Sequence, residues 1–274
     1  MIKQIVKKIV IFGLVAFNSA CSHWLIEEPV GVLADPCDQI VTAPVPANVD
    51  GLDGSTLRFM SWNVQKGQQS NWQQDLVLYG QDKDLILFQE AGESMVAMEA
   101  VQQHHWFFAP GYQAGKEVTG VATLSKVKPI GHCALTAYEP WLGTPKATNI
   151  TRYALLGSDQ SLLVVNMHMV NFVWSNKAFE QQLHSVVRLL HRHHGPVIVS
   201  GDFNTWRGSR TEILQNTMAQ SGLVPVLFAV DHRSRFFGYP VDHIYVTGFK
   251  AESAKAFEVH TSDHNPLVVD LTKL

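Results

Sequence analysis

Cysteine is scarce in this chain of 274 residues. There are three, at positions 21, 37 and 133. Cysteines so few and so far apart do not make a metal site. Cys37 and Cys133 either form a disulfide, if the chain is exported, or are two small buried residues. Charge is also sparse, at 16%, and the formal net charge is −3. No basic tail or Lys/Arg stripe is present, so broad electrostatic capture of nucleic acid is not advertised. There is no internal repeat and no low-complexity tract. What the chain has is apolar content, 46% of residues. That is enough for one large globular domain with a substantial core, and it excludes a chain disordered by composition.

The amino terminus reads as a targeting segment. Lys3, Lys7 and Lys8 precede an apolar run, Ile9–Phe17, too short to span a bilayer comfortably. Asn18, Ser19 and Ala20 then lead to Cys21, which has the look of a lipidated cysteine. The expectation is a signal or lipoprotein-like segment over residues 1–21, and export to the periplasm or a membrane anchor through Cys21. The alternative is a cytoplasmic protein. Loss of residues 1–20 removes three Lys and no acid, which takes the charge from −3 to −6. Residues 22–55 carry scattered Pro and Gly with no apolar period, and read as a linker or extended arm. The domain runs over residues 56–274.

Val197–Trp206, VIVSGDFNTW, organises this domain. Its β-branched start fits a buried strand, and Gly201 lets the chain turn. Asp202 and Asn204 follow, on one side of an extended backbone. They mark either an active site at a strand's carboxyl end or an Asx turn. Other strand ends carry polar residues too. Leu57–Val64 ends at Asn63. Asp84–Glu90 ends at a carboxylate, which either has a partner such as a metal or starts a helix running to about Val101. Gly120–Leu124 and Ile130–Ala137 read as strands. Arg152–Leu156 and Leu162–Met167 read as a hairpin that ends at Asn166 and His168. Val241–Val246 bears Asp242, and a strand is expected at Ala256–Val259. Asp263 and His264 precede a last strand, Leu267–Leu271. Helices are expected from Asn71 to about Tyr79, over Trp174–His194 and over Thr211–Ser221. His191, His193 and His194 read as a solvated face at a helix end.

The blocks SWNVQKG, LFQEA, GVATLS, VNMHMVNF, SGDFNTW, PVDHI and SDHNPL occur in that order. They resemble the endonuclease/exonuclease/phosphatase superfamily, and most closely an uncharacterised bacterial subgroup of it. The resemblance implies an α+β, deoxyribonuclease-I-like fold, a four-layer α/β/β/α sandwich of two mainly antiparallel sheets. It implies a phosphodiesterase or phosphatase that uses Mg²⁺ or Mn²⁺. Glu90 and Asp263 would hold the metal, with Asn63 beside it. Asp202 would orient or deprotonate water, and Asn204 would hold a phosphate oxygen. His264 would contact the scissile phosphate or act as base, oriented by Asp242. His168 would be the second histidine, and Asn166 a further phosphate contact. The expected substrate is a phosphodiester, in nucleic acid or phospholipid, acted on by a monomer. A lipid phosphodiesterase of the sphingomyelinase kind or a phosphatase is the alternative, and a non-catalytic envelope binding module a second. Arg207, Arg210, Arg233 and Arg235 either line a phosphate groove or are ordinary surface. Trp141, Phe172 and Trp174 are either rim aromatics or core.

Overall fold

The computed structural model of the protein describes residues 36–172 and 175–274. The targeting segment and Trp174 lie outside them. None of the helices among the described residues is long and apolar enough to cross a membrane.

The elements, in chain order, are helix α1 (Pro36–Thr42), strand β1 (Thr56–Asn63), α2 (Trp72–Gly80), β2 (Leu85–Gly92), β3 (His105–Ala114), β4 (Glu117–Ser125), β5 (Gly131–Tyr138), β6 (Pro145–Ala154), β7 (Ser161–His168), α3 (Lys177–Leu190), β8 (Val197–Asp202), α4 (Gly208–Gln220), β9 (Val224–Pro225), β10 (Val230–Asp231), β11 (Arg235–Phe236), β12 (Tyr239–Pro240), β13 (Asp242–Thr247), β14 (Phe249–Ala256) and β15 (Leu267–Lys273). They form a seven-stranded sheet of order β10-β14-β15-β1-β2-β4-β3 and a six-stranded sheet of order β5-β6-β7-β8-β13-β9, with β11 and β12 as a separate hairpin. Most neighbours are antiparallel. The parallel pairs are β1 with β2, β7 with β8, and the short β10 with β14.

Three apolar layers explain the four-layer stack. Leu57, Phe59, Leu85 and Leu87 from one sheet meet Leu162, Val164, Ile198 and Ile244 from the other. Met60, Trp62, Ile86 and Phe88 point the opposite way, under Trp72 and Leu76 of α2. Val197 and Val199 face Phe179, Leu183, Leu214 and Met218 of α3 and α4. Period-two alternation on strands covered on both faces produces this, and it makes the strands read as continuous apolar runs. The expected α+β sandwich of two mainly antiparallel sheets is therefore what the chain forms.

Several expectations shift in detail. The arm over 22–55 contains α1, whose Cys37 and Val41 are buried against the α3 side of the six-stranded sheet. Cys37 is disulfide-bonded to Cys133 of β5, and Asp38 pairs with Arg188 and Arg192. The helix expected through Val101 is two short 3-10 turns, Glu93–Ala97 and Glu99–Val101. The strand expected at Ala256–Val259 lies earlier, at Phe249–Ala256. Its sequence, FKAESAKA, has few β-formers, and pairing with β15 imposes the strand on it. Strand β3 went unread because Pro110 and Gly111 sit inside it, at a bulge on the sheet edge. His193 is not solvated. It is buried, and its Nε2 donates to Ser161 O at 2.9 Å.

Buried histidines tie stability to acid. Burial pushes His243 down to about 3 and lowers His104, His132 and His193 as well. The unfolded chain therefore takes up these protons first as pH falls. Stability is full above about 6.5 and is lost as pH drops toward about 3. A melting temperature followed across that window should fall steadily. One that holds level would show that these rings are hydrated.

Candidate active site

The rows of side chains between the sheets are apolar in the middle and polar at one end. On β1, Leu57 and Phe59 give way to Ser61 and Asn63. On β7, Leu162 and Val164 give way to Asn166 and His168. On β8, Ile198 gives way to Ser200 and Asp202, and on β13, Ile244 shares its face with Asp242. Alternation alone thus aims Asn63, His168, Asp202 and Asp242 into one space.

Glu90 breaks the parity and joins them. Leu85 and Leu87 face inward, so residue 90 of a regular strand would face α2. A bulge between Phe88 and Ala91 adds a residue to β2, and Glu90 sits at φ +49°. Its Oε1 then lies 3.9 Å from His168 Nε2. A left-handed glutamate is costly, so the surroundings must hold it there. Glu90→Gly should therefore be more stable than Glu90→Ala by about 1 kcal/mol. Equal unfolding midpoints in urea would argue that the bulge relaxes in the alanine variant.

Asp202 is the hub. Its Oδ2 accepts from Asn63 Nδ2 at 3.1 Å, and stands 3.6 Å from His168 Nε2 and 3.7 Å from His264 Nε2. Burial and the neighbouring Asp242 push its carboxyl up, although the His264 charge opposes this. His264 Nδ1 is 2.8 Å from Asp242 Oδ2. Burial works against a charge on this imidazole, but the carboxylates of Asp242 and Asp202 outweigh it and hold its pKa well above the usual value. The His264 turn is pinned to β1: Trp62 Nε1 donates to His264 O at 2.8 Å, and Ser262 Oγ to Asn63 O at 2.7 Å.

Two assignments change. Asn166 is wholly buried: its Oδ1 accepts from Gln89 Nε2 at 2.6 Å, and its Nδ2 donates to Phe88 O and Ala122 O. It stitches the two sheets together where the β2 bulge interrupts the ladder, so no part of it is left for a phosphate. Asn204 has φ +50°, with its N–H bonded to Asp202 Oδ1 at 3.0 Å and its Nδ2 to Met169 O at 2.9 Å. The Asx turn exists, and it serves the site by fixing the Asp202 carboxylate.

The four arginines do not form an open groove. Arg210 is buried, donates to Val170, Asn171 and Asn204 carbonyls, and lies over the Trp206 ring. Arg233 and Arg235 pair with Asp231, and Arg207 bonds Asn176 and stacks on Trp206. Trp141 and Phe172 are exposed. Phe237, at the tip of the β11–β12 hairpin, is exposed as well, and its neighbour Phe236 lies 6.2 Å from the His264 ring.

The sequence reading missed two lysines. Lys66 Nζ lies 2.5 Å from Glu90 Oε2, and Lys146 Nζ lies 2.9 Å from His168 Nε2. The only sequence signal for Lys146 is a cation at the start of a strand otherwise rich in β-formers, KATNITRY, which Arg152 shares near its end.

The donor set beside Glu90 fits a hard divalent cation. It comprises the Glu90 carboxylate and Asn63 Oδ1; in the loop after β1, Gln65 Oε1 is buried without a hydrogen-bond partner among the described residues. All are oxygens. The Lys66 ammonium on Glu90 shows that the position draws positive charge. Asp202, Asp242 and His264 also offer atoms within 4.8 Å of one another. There His264 is spoken for by Asp242 and kept protonated, which leaves it no lone pair for a metal. Asp263 is exposed and acts on His264 through its charge. Among the described residues no contact joins it to Glu90.

Two inner sheets, two outer helical layers and a carboxylate–histidine cluster where the inner strands end define a deoxyribonuclease-I-like sandwich. The chain belongs to the Endonuclease/Exonuclease/phosphatase family, whose sequence profile matches residues 60–264. It is 40% identical over 221 residues to a UPF0294 protein of Vibrio cholerae serotype O1, covering 80% of this chain and 78% of that one. Its fold is similar to an endonuclease/exonuclease/phosphatase of Beutenbergia cavernae, with TM-score 0.64 at 14% identity over 80% of this chain and 72% of that one. It is also similar to the human Nocturnin catalytic domain with bound sulfate, with TM-score 0.62 at 16% identity, covering 83% and 97% respectively.

Proposed function

We propose that the protein is a divalent-metal-dependent phosphodiesterase, of nuclease type, that uses Mg²⁺ or Mn²⁺. The observation that carries this reading is the convergence of Asp202 with His168 and His264, at 3.6 and 3.7 Å, beside Glu90. An anionic ester needs charge neutralised, a water oriented and a leaving oxygen protonated. The cluster offers groups for the first two tasks. Glu90 and Asn63 would hold the metal. The metal would supply charge that offsets the developing negative phosphate. His264, oriented and kept cationic by Asp242, donates to a phosphate oxygen. Asp202, a buried carboxylate with a raised proton affinity, orients and deprotonates the attacking water. His168, whose Nε2 accepts from Lys146, stands beside Asp202 and Glu90. The sulfate in the Nocturnin structure is a phosphate-like anion on a similar fold.

A lipid phosphodiesterase is the second reading, favoured by exposed Trp141, Phe172 and Phe237. Export through the amino-terminal segment fits the Cys37–Cys133 disulfide, which an oxidising compartment permits. One panel separates these readings: a plasmid, a single-stranded oligonucleotide, bis-p-nitrophenyl phosphate and sphingomyelin, each with and without Mg²⁺ or Mn²⁺. Metal-dependent cleavage of DNA supports the nuclease, and turnover of lipid alone moves the protein to the second reading. No turnover, with no metal-induced rise in melting temperature, would sink both.

A further inference from the structure

Lys146 is a buried ammonium with unspent donors. Its side chain is 8% exposed. Its one hydrogen bond among the described residues goes to His168 Nε2, at 2.9 Å. The nearest carboxylate oxygen on its other side, Glu139 Oε1, is 4.0 Å away and already accepts from Asn171 N at 2.9 Å. An ammonium carries three donors. Two of them therefore have no acceptor among the described residues, an expensive state for a group so far out of water.

The second observation is a ring shared by two cations. Lys146 Nζ lies 5.6 Å from the centre of the Tyr112 ring on β3, and Lys66 Nζ lies 5.8 Å from the same centre. Lys66 comes from the loop after β1 and Lys146 from β6 of the other sheet, so the fold brings two positive charges to one aromatic ring. Like charges held near each other repel, and a ring face relieves only part of that. An anion that enters between them turns the repulsion into attraction. The place adjoins the reaction centre, since His168 Nε2 is also 3.6 Å from Asp202 Oδ2 and 3.9 Å from Glu90 Oε1.

We propose that Lys146, with Lys66 and Tyr112, forms an anion subsite that grips a phosphate group of the substrate beside His168. The inference rests on the phosphoric-ester reading above and names the residues that take the substrate's charge. Lys146 turns its two unspent donors to non-bridging phosphate oxygens, a point-charge contact suited to a flexible stem.

Inorganic phosphate is the probe, titrated against the purified full chain in chelator, with the melting temperature as readout. The wild type should be stabilised by phosphate. Lys146→Met should need at least about tenfold more phosphate for the same shift, and Lys66→Met, whose side chain is more exposed, about threefold more. Lys146→Arg should stay close to the wild type. With a hydrolysable ester, Lys146→Met should raise KM more than it lowers kcat, because the lost contact binds ground state and transition state alike. Equal phosphate protection of the wild type and both Met variants overturns the subsite, as does a wild type that phosphate does not protect. If the wild type hydrolyses esters while the variants bind phosphate normally, the subsite falls and the enzymatic reading stands. If phosphate binds through Lys146 and no ester is turned over, the enzymatic reading falls and the subsite stands.

Discussion

His264→Ala loses roughly a thousandfold or more in kcat on any phosphodiester the wild type cleaves, and remains folded. The imidazole sits 2.8 Å from Asp242 and 3.7 Å from Asp202, and it brings a positive charge between those two carboxylates. Removing it deletes the phosphate donor and also leaves two buried acids facing each other. Asp202, which the His264 charge holds down, then binds a proton more readily, so the variant should be least stable, relative to the wild type, at high pH. Asp202→Asn should lose activity on the same scale, since an amide cannot take the proton from water. The double variant should be little worse than either single one, because the two groups act in one proton pathway. Turnover within tenfold of the wild type in either single variant, measured on folded protein, would mean that the cluster is not the reaction centre.

Gly201→Ala is the second large effect, and it acts on the fold. Gly201 has φ +145°, and a Cβ built there would lie 2.0 Å from Met167 O and 2.9 Å from Met167 N. Met167 and Gly201 face each other across the parallel pair of β7 and β8, and the next residues along are His168 and Asp202. A methyl group has nowhere to go without parting the two strands that carry the site. The expected cost is about 3 kcal/mol or more, or roughly ten degrees of melting temperature for a domain of this size. Whatever folded protein remains should be weakly active, because His168 and Asp202 separate. A melting temperature within two or three degrees of the wild type would show that the strands part at little cost.

Much of the site was legible because its residues terminate apolar runs. Val197–Val199 before Gly201, and Leu162–Val165 before Asn166, announce buried strands, and a polar residue at such an end must be accounted for. Asn63, His168, Asp202 and Asp242 followed from that pattern together with period-two alternation. Glu90 could be suspected from its position after LILF, but not oriented. Parity points it at α2, and only the bulge at φ +49° turns it toward His168. Asn166 was misread for a related reason. Its place on the strand is the same whether it meets a phosphate or a neighbouring carbonyl, and the carbonyls of Phe88 and Ala122 belong to the other sheet.

The sequence by itself determined the sandwich, since its strands read as apolar on both faces and its helices as amphipathic covers. It also determined the residue types of the cluster and their order along the chain. Only the tertiary structure decided which of them meet. Local pattern sets which way a side chain points, but contacts across two sheets depend on register, on bulges and on which loop folds back. Lys66 and Lys146, eighty residues apart in the chain and brought to one tyrosine ring from different sheets, could be found only there.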